Sequence, residues 1–248
     1  MKQEILTIQE NIKLAEGVYR MKLAGDISAI TAPGQFVNIK LDGHFLRRPI
    51  SVNDISENEL TIIYKILGEG TREMSQYEVG RELDVLTGLG NGYSIELMKE
   101  EVPSRATIAL IGGGVGIPPL YLLAKKLIAS GEKVHVVLGF NSSCDVFYEK
   151  EFLALGAEVS VATADGSYGI KGFVTDILPS DYSYFFTCGP EPMLKAVYKA
   201  TTTPGQMSFE ERMGCGFGAC MGCSCKTVTG YKRICKEGPV LRKEEVLW

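Results

Sequence analysis

Hydrophobic and polar positions alternate through much of the first hundred residues, over positions 18 to 22 and again at Leu60, Ile62, Tyr64 and Ile66. A period of two turns one set of side chains towards a core and the other towards water, which predicts short strands. Pro33-Gly34, Asp42-Gly43 and the glycines at 88, 90 and 92 punctuate these stretches as turns. An antiparallel barrel or sandwich is therefore expected for residues 4 to 98.

The rhythm changes at Ala106. Residues 107 to 111 read as a buried strand, 112 to 116 as a turn and 117 to 130 as a helix, with Leu120, Leu123, Ala124, Leu127 and Ile128 on one face. Gly131 supplies the stop. Further strands at 134 to 138, 159 to 162 and 184 to 187 alternate with helical segments at 146 to 155 and 192 to 201, the order that builds a parallel sheet covered by helices. The last forty or so residues are rich in cysteine and glycine and show little periodicity, as expected of a module that needs a metal centre to fold. The fold class is thus multi-domain α/β plus all-β: an N-terminal antiparallel β-barrel (1–100), a central parallel α/β domain (101–205) and a small cysteine-rich C-terminal module (206–248).

Charge narrows the partners. With 26 basic and 30 acidic residues and no basic block, the chain is a poor match for nucleic acid. Residues 106 to 124 carry no charge, long enough for a membrane span, but four glycines and two prolines interrupt them. No signal peptide is visible, and a cytoplasmic location is expected.

Five of the seven cysteines fall between 215 and 235 in a mid-sized chain without export signals, which favours metal ligation over disulfides. Cys215, Cys220 and Cys223 read C-x4-C-x2-C, and Cys235 follows after eleven residues. That is the plant-type spacing for a [2Fe-2S] cluster. A structural zinc site also uses four thiolates, though its ligands more often come as two short CxxC units. Cys225 is a spare thiol two residues beyond Cys223.

Two further runs carry candidate chemistry. Gly112, Gly113, Gly114 and Gly116 lie between a strand and a helix, where phosphate can approach the backbone and the helix N-terminus. The motif is GGGxGxPP rather than GxGxxG, so a tight turn alone would also explain it. Between Gly139 and Asp145 there is no arginine or lysine to receive a 2'-phosphate, which favours NAD over NADP. Arg48, with Pro49, Ile50 and Ser51, offers a guanidinium fork for a pyrophosphate and a hydroxyl for a flavin edge. Gly68-Glu69-Gly70-Thr71 is a small-residue turn that could touch phosphate or merely form a hairpin corner. Tyr64 and Lys65 lie in the alternating stretch that precedes it. The two histidines, His44 and His135, form no triad, and His135 reads as a structural residue within a strand.

In this order, Arg48 to Ser51, Gly70-Thr71-Arg72, the glycine loop and then Cys188-Gly189-Pro190-Glu191-Pro192-Met193, the chain resembles the ferredoxin-NADP reductase superfamily over residues 1 to about 205. The tail from Glu210 to Cys225, with its ending Cys235-Lys236-Glu237-Gly238-Pro239-Val240, is similar to the electron-transfer subunits of NAD-dependent dihydroorotate dehydrogenases. The resemblance implies FAD held by Arg48, Pro49, Ile50, Ser51, Tyr64, Lys65, Gly70 and Thr71. It places NAD at the glycine loop and at Cys188, Gly189 and Pro190, and the cluster on Cys215, Cys220, Cys223 and Cys235. It also implies an FMN-containing catalytic partner in a hetero-oligomer, with electrons passing singly through the cluster to FAD and as a pair to NAD, in pyrimidine biosynthesis. Members often carry an arginine where this chain has Asn141. The alternatives are a diaphorase subunit of a hydrogenase or ferredoxin-linked complex, and a zinc-stabilised or redox-sensing module without turnover. Trp248 is expected to be a frayed terminus or a docking residue.

Overall fold

A computed structural model describes residues 1–102 and 105–248. Strands β1 (Lys2–Ala15), β2 (Val18–Ala24), β3 (Phe36–Ile39), β4 (Arg48–Ser56), β5 (Glu59–Lys65) and β6 (Glu82–Leu89) close into a barrel in the order β1-β2-β5-β4-β3-β6. Every pairing is antiparallel. The alternation seen in the sequence is the inside and outside of this barrel: Leu6, Ile8, Met21, Leu23, Val37, Ile39, Leu60, Ile62 and Val85 fill its interior. Between β5 and β6, helix α1 (Glu69–Met74) plugs one end with the buried Met74. Here the structure differs from the expected turn at Gly68 to Thr71, because Thr71 Oγ1 accepts from the Leu67 amide and donates to the Gly68 carbonyl, starting a helical turn.

Helix α2 (Ile95–Glu101) follows, its first turn capped by Ser94 Oγ accepting from the Leu97 amide. Then come β7 (Thr107–Gly113), α3 (Pro119–Ala129), β8 (Lys133–Phe140), α4 (Glu149–Ala154), β9 (Glu158–Thr163), the short β10 (Ile170–Lys171), β11 (Tyr184–Cys188), α5 (Glu191–Ala200) and β12 (Gly205–Ser208). In the tail, β13 (Ser224–Thr227) and β14 (Gly230–Arg233) form a hairpin and β15 (Val240–Arg242) leaves it. The large sheet has the order β10-β9-β8-β7-β11-β12-β15, parallel except for β15. The tail is thus stitched into the nucleotide-binding sheet by its own strand.

Two boundaries moved. Strand β7 continues through Gly112 and Gly113, which pair with Leu138 and Gly139 on β8, so the turn is confined to Gly114–Gly116. The helix expected from 146 starts at Glu149, because Tyr148 takes a left-handed backbone (φ 68°) and Ser142 and Asp145 cap a separate short turn.

A third apolar cluster joins the three parts: Phe36 and Leu89 from the barrel, Ile111, Val137 and Phe185 from the sheet, and Cys223, Ile234, Cys235 and Leu241 from the tail. Trp248 packs edge-on to Tyr198 and tilted on Phe209 while staying 42% exposed, so the terminus is packed rather than frayed. His135 bonds Ser160 Oγ at 2.8 Å across β8 and β9, a structural role. Among the described residues no helix is long and apolar enough to cross a membrane.

Candidate functional site

A cavity of about 350 Å³ opens where the barrel meets the sheet. Arg48, Pro49, Ile50 and Ser51 of β4 form one wall, Ile63, Tyr64 and Lys65 of β5 a second, and the residues from Leu67 to Thr71 a third. Val115 of the glycine loop and Glu210 of the tail complete it. Every barrel residue proposed from the sequence therefore lines one space. Ile63 and Leu67 carry no motif, and Val115 and Glu210, though inside the glycine loop and at the start of the tail, are not among the residues expected to bind FAD.

The paired arginines divide their work. Arg47 donates to the Asp84 carbonyl at 2.9 Å and to its carboxylate at 3.0 Å, and is spent on the barrel wall. Arg48 instead reaches His44 Nδ1 at 3.1 Å and the Leu46 carbonyl, and His44 Nε2 lies 3.2 Å from Glu73. These contacts hold a cation at the cavity wall without neutralising it by a direct carboxylate. Tyr64 lines the cavity but is itself buried, stacked on Tyr19 at 5.8 Å, with its hydroxyl donating to Asn11. Burial pushes its ionisation upward, so it serves as a neutral wall.

The glycine loop and the segment after β11 meet on adjacent strands, with Gly112 level with Cys188. A side chain at Gly116 would lie 2.4 Å from the Cys188 carbonyl oxygen and 2.6 Å from the Gly189 α-carbon, so only glycine lets the two turns touch. Pro190 and Met193 close over Gly113 from the other side. The Cys188 thiol is buried, and burial pushes it up to about 12, which leaves it protonated. It is a packing neighbour, not a nucleophile. Glu210 is exposed yet borders the cavity, and partial desolvation there raises its carboxyl above the ordinary range.

The tail brings its thiols together as two pairs. The Cys220 amide donates to Cys215 Sγ at 3.4 Å, and the Cys235 amide to Cys223 Sγ at 3.4 Å. Cys223 and Cys235 are buried, Cys215 is half-buried and Cys220 exposed. Burial opposes ionisation of Cys215, but the amides of Cys220 and Phe217 outweigh it and bring the thiol down to about 6. Burial beside Cys223 pushes Cys235 up to about 12. Among the described residues, no three His, Cys, Asp or Glu side chains gather as a single ion requires. Two thiol pairs, with amides already aimed at sulfur, are a donor set that fits a two-iron centre. Cys225 stands on β13 outside both pairs.

The comparisons with known proteins agree with this layout. Residues 210–247 match the family model for the iron-sulfur cluster binding domain of dihydroorotate dehydrogenase B, and residues 110–199 match an oxidoreductase NAD-binding domain. A protein of Fusobacterium nucleatum named dihydroorotate dehydrogenase B (NAD(+)), electron transfer subunit, is 46% identical, covering 99% of each chain. The Bacillus pumilus protein of the same name is 45% identical over 99% of this chain and 98% of its own. Among solved structures, a NADH-dependent reduced ferredoxin-NADP oxidoreductase superposes with a TM-score of 0.87 at 31% identity, covering 98% of this chain and 90% of that one.

Proposed function

The chain belongs to the electron-transfer subunits of dihydroorotate dehydrogenase B (NAD(+)), and from that membership we propose how its residues divide the work. The subunit moves electrons between a catalytic partner and NAD in pyrimidine biosynthesis, using FAD and a [2Fe-2S] cluster. When bound, these groups exchange single electrons on one side for the electron pair of a hydride on the other.

The residues of the chain supply binding, orientation and insulation. Arg48 would pair with the FAD pyrophosphate, its charge left available because His44 and a carbonyl hold it. Pro49, Ile50, Ser51, Tyr64 and Lys65 would flank the flavin, with Gly70 and Thr71 at its phosphate end. Gly112, Gly113, Gly114 and Gly116 would face the dinucleotide, and Cys188, Gly189 and Pro190 the nicotinamide. Cys215, Cys220, Cys223 and Cys235 would hold the cluster, two thiolates to each iron. Residues 1–100, 101–205 and 206–248 carry these three tasks, and β15 ties the last to the second. The catalytic partner would carry FMN, oxidise dihydroorotate to orotate and bind as part of a hetero-oligomer.

One observation carries this reading: β4 of the barrel, Val115 of the glycine loop and Glu210 of the tail all border one cavity, so the three binding segments converge. The test is an anaerobic visible and electron paramagnetic resonance spectrum with FAD, iron and sulfide quantified. One FAD and two irons per chain are expected, with dihydroorotate-driven NAD reduction once the FMN partner is added. Stoichiometric zinc without acid-labile sulfide would overturn it.

A further inference from the structure

Asparagine is an unusual choice for the place that Asn38 occupies. It lies on β3 between Val37 and Ile39, which point into the barrel, and it is 1% exposed. Its side chain therefore faces outward, on the same side as Phe36, beneath the tail. There its Nδ2 donates to the Cys215 carbonyl at 3.3 Å, while its Oδ1 has no hydrogen-bond partner among the described residues. A buried acceptor without a partner is costly, so packing alone does not account for an asparagine here.

The register explains what the position offers. Asn38 is level with Pro49 and Phe36 with Ser51, and cross-strand partners share a face. Pro49 and Ser51 border the cavity assigned to FAD. The amide that grips the first cluster cysteine is therefore one strand, about 4.8 Å, from the flavin wall. The tail meets it closely: Gly216 has a left-handed backbone (φ 80°), and a Cβ there would fall 2.4 Å from Asn38 Nδ2. No other polar side chain of the barrel is hydrogen-bonded to the cysteine loop 215–220 among the described residues.

We propose that Asn38 is the positioning residue that seats the cluster-bearing loop on the flavin-binding strand and so sets how fast electrons cross between the two redox groups. This rests on the assignment of Cys215 as a cluster ligand. No bond to Asn38 forms or breaks: NADH, the reductant in the test, delivers two electrons as a hydride, and one at a time crosses to the cluster.

The experiment is anaerobic stopped-flow reduction by NADH of the full chain carrying its cofactors, followed at the cluster's visible bands. It is paired with a redox titration of the cluster signal. Asn38→Ala should slow cluster reduction at least tenfold while FAD and iron remain stoichiometric and NADH-to-dye turnover stays within twofold. Asn38→Asp, the same size but carrying charge, turns an acceptor towards the Cys215 carbonyl and should shift the cluster potential to more negative values. Wild-type crossing rates in both variants, or loss of FAD or iron in both, would overturn the proposal. Iron and sulfide in the unaltered protein report separately on the ligand assignment.

Discussion

The side chain of Asn91 pairs with Val240 as a strand would, its Nδ2 donating to the Val240 carbonyl at 2.7 Å and its Oδ1 accepting from the Val240 amide at 3.1 Å. The Asn91 amide adds a bond to the Gly238 carbonyl at 2.7 Å. A residue just past the barrel thus holds the start of β15, and β15 holds the tail in the sheet. Asn91→Ala removes these two bonds and a third, from Nδ2 to the Glu237 carbonyl at 3.1 Å, but leaves the backbone tie, so a loss of about 1–3 kcal/mol in stability is expected. Limited proteolysis should cut the variant first beyond residue 208. Equal resistance of the two proteins would show that apolar packing alone secures the tail.

Of the paired arginines, Arg48 is the one proposed for the FAD pyrophosphate, since Arg47 is committed to Asp84. Replacing Arg48 by Ala should weaken FAD binding by about 10- to 100-fold, the range for one charge-assisted bond of about 1.5–3 kcal/mol. Arg48→Lys should recover little, because an ammonium cannot bridge His44, a carbonyl and a phosphate as a fork does. Fluorescence titration of the deflavinated protein measures both. Unchanged affinity in the Ala variant would move the pyrophosphate elsewhere.

Much of this was legible in the chain because its signals are local. Alternation gave the barrel strands, the apolar stripe on 120 to 128 gave α3, and cysteine spacing marked the tail. What stayed hidden depends on contacts between distant segments. Nothing near Asn38 or Asn91 tells that each meets the tail well over a hundred residues later. Likewise β15 is three residues long, too short for a period to show, and exists only because β12 offers it an edge. Glu210 stands in the sequence only as the start of the cysteine-bearing tail, and its place at the cavity depends on the fold. Glycines at the start of α1 predict a turn, whereas one threonine hydroxyl decides the local geometry.

Cys220 is the exposed member of the four thiols, and its side chain supports no apolar packing. Cys220→Ser should therefore abolish the cluster's paramagnetic signal and dihydroorotate-driven NAD reduction. NADH-to-dye turnover, assigned in the proposed function to the barrel and the glycine loop, should keep most of its rate. The tail keeps β15 and Asn91 as anchors in such a variant. Loss of dye reduction as well would mean that the cluster organises the flavin site.

Glu210 gives the stability of the protein a signature in pH. Crowding at the cavity mouth raises its carboxyl above the ordinary 4.5, so between 4.5 and the raised value the folded chain binds more protons than the unfolded one. Stability must then fall as pH rises through that window, and above it the cost of holding a charged carboxylate is complete. Glu210→Gln removes the charge and keeps the shape. The variant should be more stable than the parent at pH 8, and its advantage should shrink to nothing as pH falls to about 4.5, the ordinary carboxyl value. Urea midpoints of both proteins across this range provide the measurement. A gap that keeps one size at every pH would mean that the glutamate is fully hydrated and its environment ordinary.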